Sequence, residues 1–197
     1  KSQSGVGQPL SPVVGMCGPL QNHFGPFDYR TAPHADRSIV ERFHFTPSVE
    51  TLKRGNTGSI GGDLNYTLRV FPNHARALAA MARYAARLGS TKVPGAEYPA
   101  ECYFDRAIRF APDDAQVRAL YADFLIQFKR PKDARDQLEA AERLNPSSPP
   151  ILYNLALAWN ALGDNDKAVP LARRAYAGGV QFPGLREKLK ASGAWRD

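Results

Sequence analysis

The chain has 197 residues, enough to bury a core without metal or disulfide staples, which excludes a mini-protein. A composition of 43% hydrophobic and 23% charged residues excludes wholesale disorder, and no apolar run approaches the roughly 20 residues needed to cross a bilayer. The net charge of +7 is scattered, with no five basic residues in a row, which argues against a nucleic-acid partner and reads most plainly as solubility.

Residues 1–60 are expected to form an extended, irregular arm. Gly and Pro interrupt every possible helix as far as Pro33, and residues before proline are pushed towards extended conformations. Leu10, Val13, Val14 and Met16 are too apolar for a purely solvated tail, so this stretch should lie on a surface, its own or that of a neighbouring copy. Ser38 to Phe45 reads as a short strand or an extended tether. A short helix follows, with Thr46 as N-cap, Pro47 as first residue and Gly55 as stop.

Only two cysteines occur, Cys17 and Cys102, and neither sits in a metal-binding spacing. In an oxidising compartment they are expected to pair; the alternative is two buried thiols acting as small hydrophobes. The missing initiator Met and the Gly/Pro-rich flank lean towards an exported protein, periplasmic, cell-surface or extracellular. Asn65-Tyr66-Thr67 is a formal glycan acceptor, but inside an expected helix.

From residue 61 the chain becomes rich in Ala, Leu and Arg at helical spacing. Pro112 and Pro146 are 34 residues apart, as are Ala122 and Ala156, Ala100 and Ala134, Ala134 and Ala168, Ala107 and Ala141, and Ala141 and Ala175. Pro72 to Pro112 and Ala82 to Ala122 are offset by 40, which places a six-residue insertion between Gly89 and Pro99. Helices are expected at 61–70, 74–88, 97–110, 114–128, 131–144, 149–162, 165–177 and 183–192, the last as a cap, with a bend at Pro170.

PDDAQVRALYADFLIQFKRPKDARDQLEAAERLNP resembles the tetratricopeptide repeat, with Ala122 at the contact of the first helix, Ala134 and Ala141 in the second and Pro146 closing the unit. The following unit matches through Ala156, Gly163, Ala168 and Ala175, and an earlier one through Ala82, Gly89, Ala100, Phe104 and Ala107. The resemblance covers residues 61–180. It implies an all-α, right-handed solenoid of helical hairpins, with 181–197 as its C-terminal cap, and a concave face lined by the first helix of each pair.

On that face Arg76, Arg83 and Arg87 share one stripe, followed by Gln116, Asp123 and Gln127 and then Tyr153, Asn154 and Asn160. Such a groove suits an extended peptide, whose backbone needs donors and acceptors. Ala79 and Leu120 stand where chaperone-docking members carry Lys and Asn, which speaks against that partner.

No catalytic motif is present: His23, His34, His44 and His74 read as surface or loop residues, and Gly58 to Asp63 reads as a plain turn before a helix. The expectation is a non-enzymatic protein-interaction module without metal or cofactor. It self-associates head to tail through its arm, as a ring or filament, or it is an envelope scaffold that binds another protein's peptide. A third reading makes Asn22 to Arg30 part of an enzymatic or carbohydrate-binding pocket; otherwise Phe24, Phe27 and Tyr29 are anchors.

Overall fold

The computed structural model describes residues 17–196, so Leu10, Val13, Val14 and Met16 lie outside the described residues. Within them the chain forms ten α-helices and no strand. These are α1 (His34–His44), α2 (Pro47–Glu50), α3 (Ile60–Val70), α4 (Ala75–Leu88), α5 (Ala100–Phe110), α6 (Ala115–Gln127), α7 (Pro131–Arg143), α8 (Pro149–Ala161), α9 (Asn165–Ala177) and α10 (Gly184–Ala191).

Local chemistry starts most of them. Side chains of Thr46, Ser59, His74, Asp114 and Asp164 accept backbone N–H bonds at the starts of α2, α3, α4, α6 and α9. Gly89, at φ 61°, ends α4 in a left-handed residue that carries no side-chain penalty.

The hairpins α4–α5, α6–α7 and α8–α9 pack so that α4, α6 and α8 stand side by side. Helices approach closely only where side chains are small, and Ala100, Ala107, Ala122, Ala134, Ala141, Ala156, Ala168 and Ala175 are all fully buried. Between them Phe104, Phe124, Leu125, Leu138, Leu155 and Trp159 fill one continuous core running from Phe45 to Leu189. At one end α10 packs on α8 and α9, with Leu185 and Leu189 fully buried; at the other α2 packs on α3 and α4. Each terminal face of the stack is thereby covered, as a solenoid requires.

Residues 38–45 are helical, not a strand or tether. Pro33 precedes the first turn, Asp36 lies within it and Arg42 and His44 lie in the last, matching the helix dipole. Ile39, Val40 and Phe43 share one side of a helix, and tertiary contact with α3 selects that arrangement over an alternating strand.

From Cys17 onward the arm is fixed to the repeats. Cys17 and Cys102 form a disulfide, both residues fully buried. Phe24, Phe27 and Tyr29 pack around Ala32, Val40, Val70 and Phe71, and the Phe27 N–H donates to the Val70 carbonyl at 2.8 Å. The Gly25-Pro26 bond is cis. Arg30 bonds Asp28 and also reaches Asp113 at 3.0 Å in the α5–α6 loop. Asn73 joins the same knot, donating to Asp28 at 2.8 Å and Asp114 at 3.1 Å while accepting from the Tyr29 N–H at 2.9 Å. Phe24, Phe27 and Tyr29 thereby anchor the arm against the repeats.

His74 is not a surface residue: it is fully buried. Its Nδ1 accepts from the Ala77 N–H at 3.2 Å, and its Nε2 lies 3.2 Å from Glu41 Oε1, which also accepts from the Tyr29 hydroxyl at 2.5 Å. Burial lowers the His74 pKa from 6.5 to about 4 despite Glu41, and pushes the Tyr29 hydroxyl up to about 12. The unfolded chain therefore binds a proton near pH 6.5 that the folded one refuses until about pH 4. Stability should fall on the order of 3 kcal/mol as pH drops through that window. Asp28 and Glu50, held low by Arg30 and Arg76, add losses of the same sign at lower pH. Urea titrations at stepped pH check this: His74→Asn, which retains a capping side chain, should flatten the slope between pH 6.5 and 4.

Candidate protein-binding face

The solvent side of α4, α6 and α8 is where the predicted binding residues lie. Packing against neighbours on both sides leaves each helix one open stripe. On α6 it runs Gln116, Leu120, Asp123, Gln127; on α8 it runs through Tyr153, Asn154, Leu157 and Asn160.

The arginine end of this face is already occupied by the chain itself. Arg76 makes a two-pronged pair with the Glu50 carboxylate, through Nε at 2.8 Å and Nη2. Arg83 donates to the Glu50 carbonyl at 2.8 Å and Arg87 to the Leu52 carbonyl at 3.1 Å. Leu52 is left-handed, at φ 57°, and buried, so Arg87 holds a backbone turn that an L-residue adopts at a cost of about 1 kcal/mol. The three arginines share a stripe as expected, and all three stay solvent-exposed while tying the last turn of α2 to α4. Nothing in the local sequence shows this, because Glu50 and Leu52 lie 26 and 35 residues from their partners.

On α6 and α8 the polar positions divide. Gln127 donates to Asp123 at 2.6 Å, Asn160 donates to Asn165 at 2.9 Å, and Tyr153 joins an aromatic cluster with Tyr176 and Phe182. The side chains of Gln116 and Asn154 have no hydrogen-bond partner among the described residues. Asp123 is open to solvent and carries no ion pair, but the protein atoms crowding it remove enough water to push its carboxyl above the usual range. Half-buried Leu120 precedes it by three residues on α6, and half-buried Leu157 lies on the open stripe of the adjoining α8.

Two residues with clear roles escaped the sequence reading. Arg106 is fully buried and donates to the carbonyls of Cys17 at 3.0 Å and Pro19 at 2.7 Å, clamping the arm beside the disulfide. Asp63, equally buried, gathers the N–H groups of Asn56 at 2.6 Å and Thr57 at 3.1 Å, the Thr57 hydroxyl, and His44 Nδ1 at 3.0 Å. Those bonds hold its carboxyl below its ordinary value against the opposing effect of burial. The turn before α3 is otherwise plain, with Ser59 Oγ accepting from the Gly62 N–H at 3.0 Å. Asn65, the formal glycan acceptor, sits within α3 and accepts the Tyr103 hydroxyl at 2.6 Å.

No curated protein matches the chain. The tetratricopeptide repeat family model matches it twice, over residues 100–149 and 129–184. The matched stretches contain the α6–α7 and α8–α9 hairpins with their buried alanines, so residues 100–184 carry the helical hairpins of the tetratricopeptide repeat.

Proposed function

We propose that this chain is a non-enzymatic protein-interaction module that binds an extended peptide along α6 and α8. Asp123 carries this reading: it is partly desolvated, has no ion pair among the described residues and shares α6 with half-buried Leu120, so it selects a partner presenting a basic side chain among apolar ones. Gln116 and Asn154 supply amides for the peptide backbone. The expected partner therefore differs from the one an open arginine stripe would choose. In a selection of displayed dodecapeptides against the immobilised chain, basic–apolar sequences should be enriched, and Asp123→Lys should reverse the charge preference. Enrichment independent of residue 123 would count against this face.

The Cys17–Cys102 bridge and the lack, among the described residues, of a helix long and apolar enough to span a membrane are compatible with export. We place the protein in an oxidising compartment on that basis, as an envelope or extracellular scaffold.

A second reading retains head-to-tail self-association, closed or filamentous, through Leu10, Val13, Val14 and Met16. The fixation of the arm at Cys17 favours it, since any contact made by these residues would be transmitted to a rigid point on α5. Light scattering of a chain lacking residues 1–16 tests it. Loss of larger particles supports it, and an unchanged size removes it.

A further inference from the structure

A second surface, remote from α6 and α8, has the chemistry of a ligand pocket. Between α1 and α3 lies an open cavity of about 390 Å³, within the size range of small-molecule sites. Phe24, Phe43 and Tyr66 bring three aromatic rings to it, and Ile39 and Val40 complete its apolar wall. Of the six large apolar side chains left exposed among the described residues, Ile39 (54%), Phe43 (44%) and Tyr66 (39%) converge here. Leaving that much apolar surface in water has a cost that a bound group would remove.

The polar groups in this cavity share one character. Asp36 lines it and has no hydrogen-bond or ion-pair partner among the described residues. His44 lines it too, and its orientation is built: Nδ1 faces the buried Asp63 carboxylate at 3.0 Å, and the ring stacks on Tyr66 with centroids 3.8 Å apart. A neutral ring that donates from Nδ1 to Asp63 presents Nε2 as an acceptor, and Nε2 has no hydrogen-bond partner among the described residues. A carboxylate, an imidazole acceptor and three π-faces all attract positive charge or a donor, and none supplies it. Phe43 already holds one cation, the Arg42 guanidinium 5.5 Å from its centroid, on one side of the ring.

We infer that the α1–α3 cavity binds an organic ammonium group, its charge against Asp36 and the aromatic faces and its alkyl carbons against Ile39 and Val40. A cation with an apolar coat suits this lining better than a hydrated metal ion, which would need several oxygen ligands, or an anion, which Asp36 would repel.

The test compares choline with 3,3-dimethyl-1-butanol, the same shape without the charge. Each is titrated into the full chain while the ring resonances of Tyr66 and His44 are followed by NMR. Choline should give saturable shifts there, with the neutral alcohol binding at least about tenfold more weakly. Asp36→Asn should weaken choline about five- to tenfold, and Phe43→Ser should weaken it comparably; Asp36 is half-buried and Phe43 exposed, and neither belongs to the core. Equal binding of the two compounds, choline binding indifferent to Asp36, or no shift at Tyr66 and His44 would each overturn the inference. None of these outcomes depends on the α6–α8 face, so the two proposals stand or fall separately.

Discussion

Cys102→Ser should lower the unfolding free energy by about 4 kcal/mol, the chain-entropy value for a loop of this length. The bridge joins residues 85 apart and is the covalent link between the arm and α5. What it holds in place is unusual. The Arg106 guanidinium lies fully buried beneath residues 17–19, with its charge met by two carbonyls and the face of Tyr98 at 5.0 Å, and its Nε and Nη2 without partners. Burial, with Arg109 and Arg69 nearby, lowers its pKa, so the covered state carries a desolvation cost that the disulfide helps to sustain. Without the bridge, lifting the arm rehydrates Arg106, and opening is favoured from both sides. Urea midpoints with and without reductant, together with trypsin cleavage after Arg30, measure this. A reduced protein with an unchanged midpoint and an intact arm would show that the noncovalent contacts of Tyr29, Arg30 and Asn73 suffice.

Trp159→Ala should cost a further class of energy, about 3–5 kcal/mol, from the middle of the repeats. Trp159 is the largest fully buried side chain, and its indole N–H donates to Glu142 at 2.7 Å. Lys167 lies 4.3 Å and Arg135 5.6 Å from its ring, so truncation also removes a cation–π sandwich. Trp159→Phe separates the contributions: it restores most of the volume but leaves Glu142 without its donor, and should cost about 1–3 kcal/mol. Thermal or urea unfolding followed by circular dichroism reads both. If the phenylalanine variant lost as much as the alanine variant, the hydrogen bond and not the packing would dominate.

The two substitutions probe features of different legibility. The 34-residue alanine spacing announced the hairpins, and helix limits followed within a few residues because caps and proline breaks are written locally: Ser59, Asp114, Pro131, Pro149 and Asp164 stand where the chain changes direction. The two cysteines left open either a disulfide or a pair of buried thiols, and the folded chain bonds Cys17 to Cys102. The turn before α3, the capping role of α10 and the anchoring by Phe24, Phe27 and Tyr29 were likewise within reach of sequence alone.

The candidate binding residues were harder to read. Period and register put Arg76, Arg83 and Arg87 on one stripe, but whether a stripe is open depends on what crosses it, and here residues 50–52 do. The helix at 34–44 was misjudged for a related reason: a short amphipathic segment can serve as strand or helix, and its surface against α3 decides. His74 and Asp63 carry no local signal of burial, since polar side chains become interior only when distant groups satisfy them.

By itself, then, the amino-acid order determined the repeat architecture, because small residues at a constant interval and local capping chemistry act over a few turns of chain. Tertiary structure alone decided which polar groups are spent inside the molecule and which, like Asp123 and Asp36, remain open to a partner. The physical reason is that a side chain's exposure and charge partners are set by residues tens of positions away, whose proximity exists only after the chain has folded.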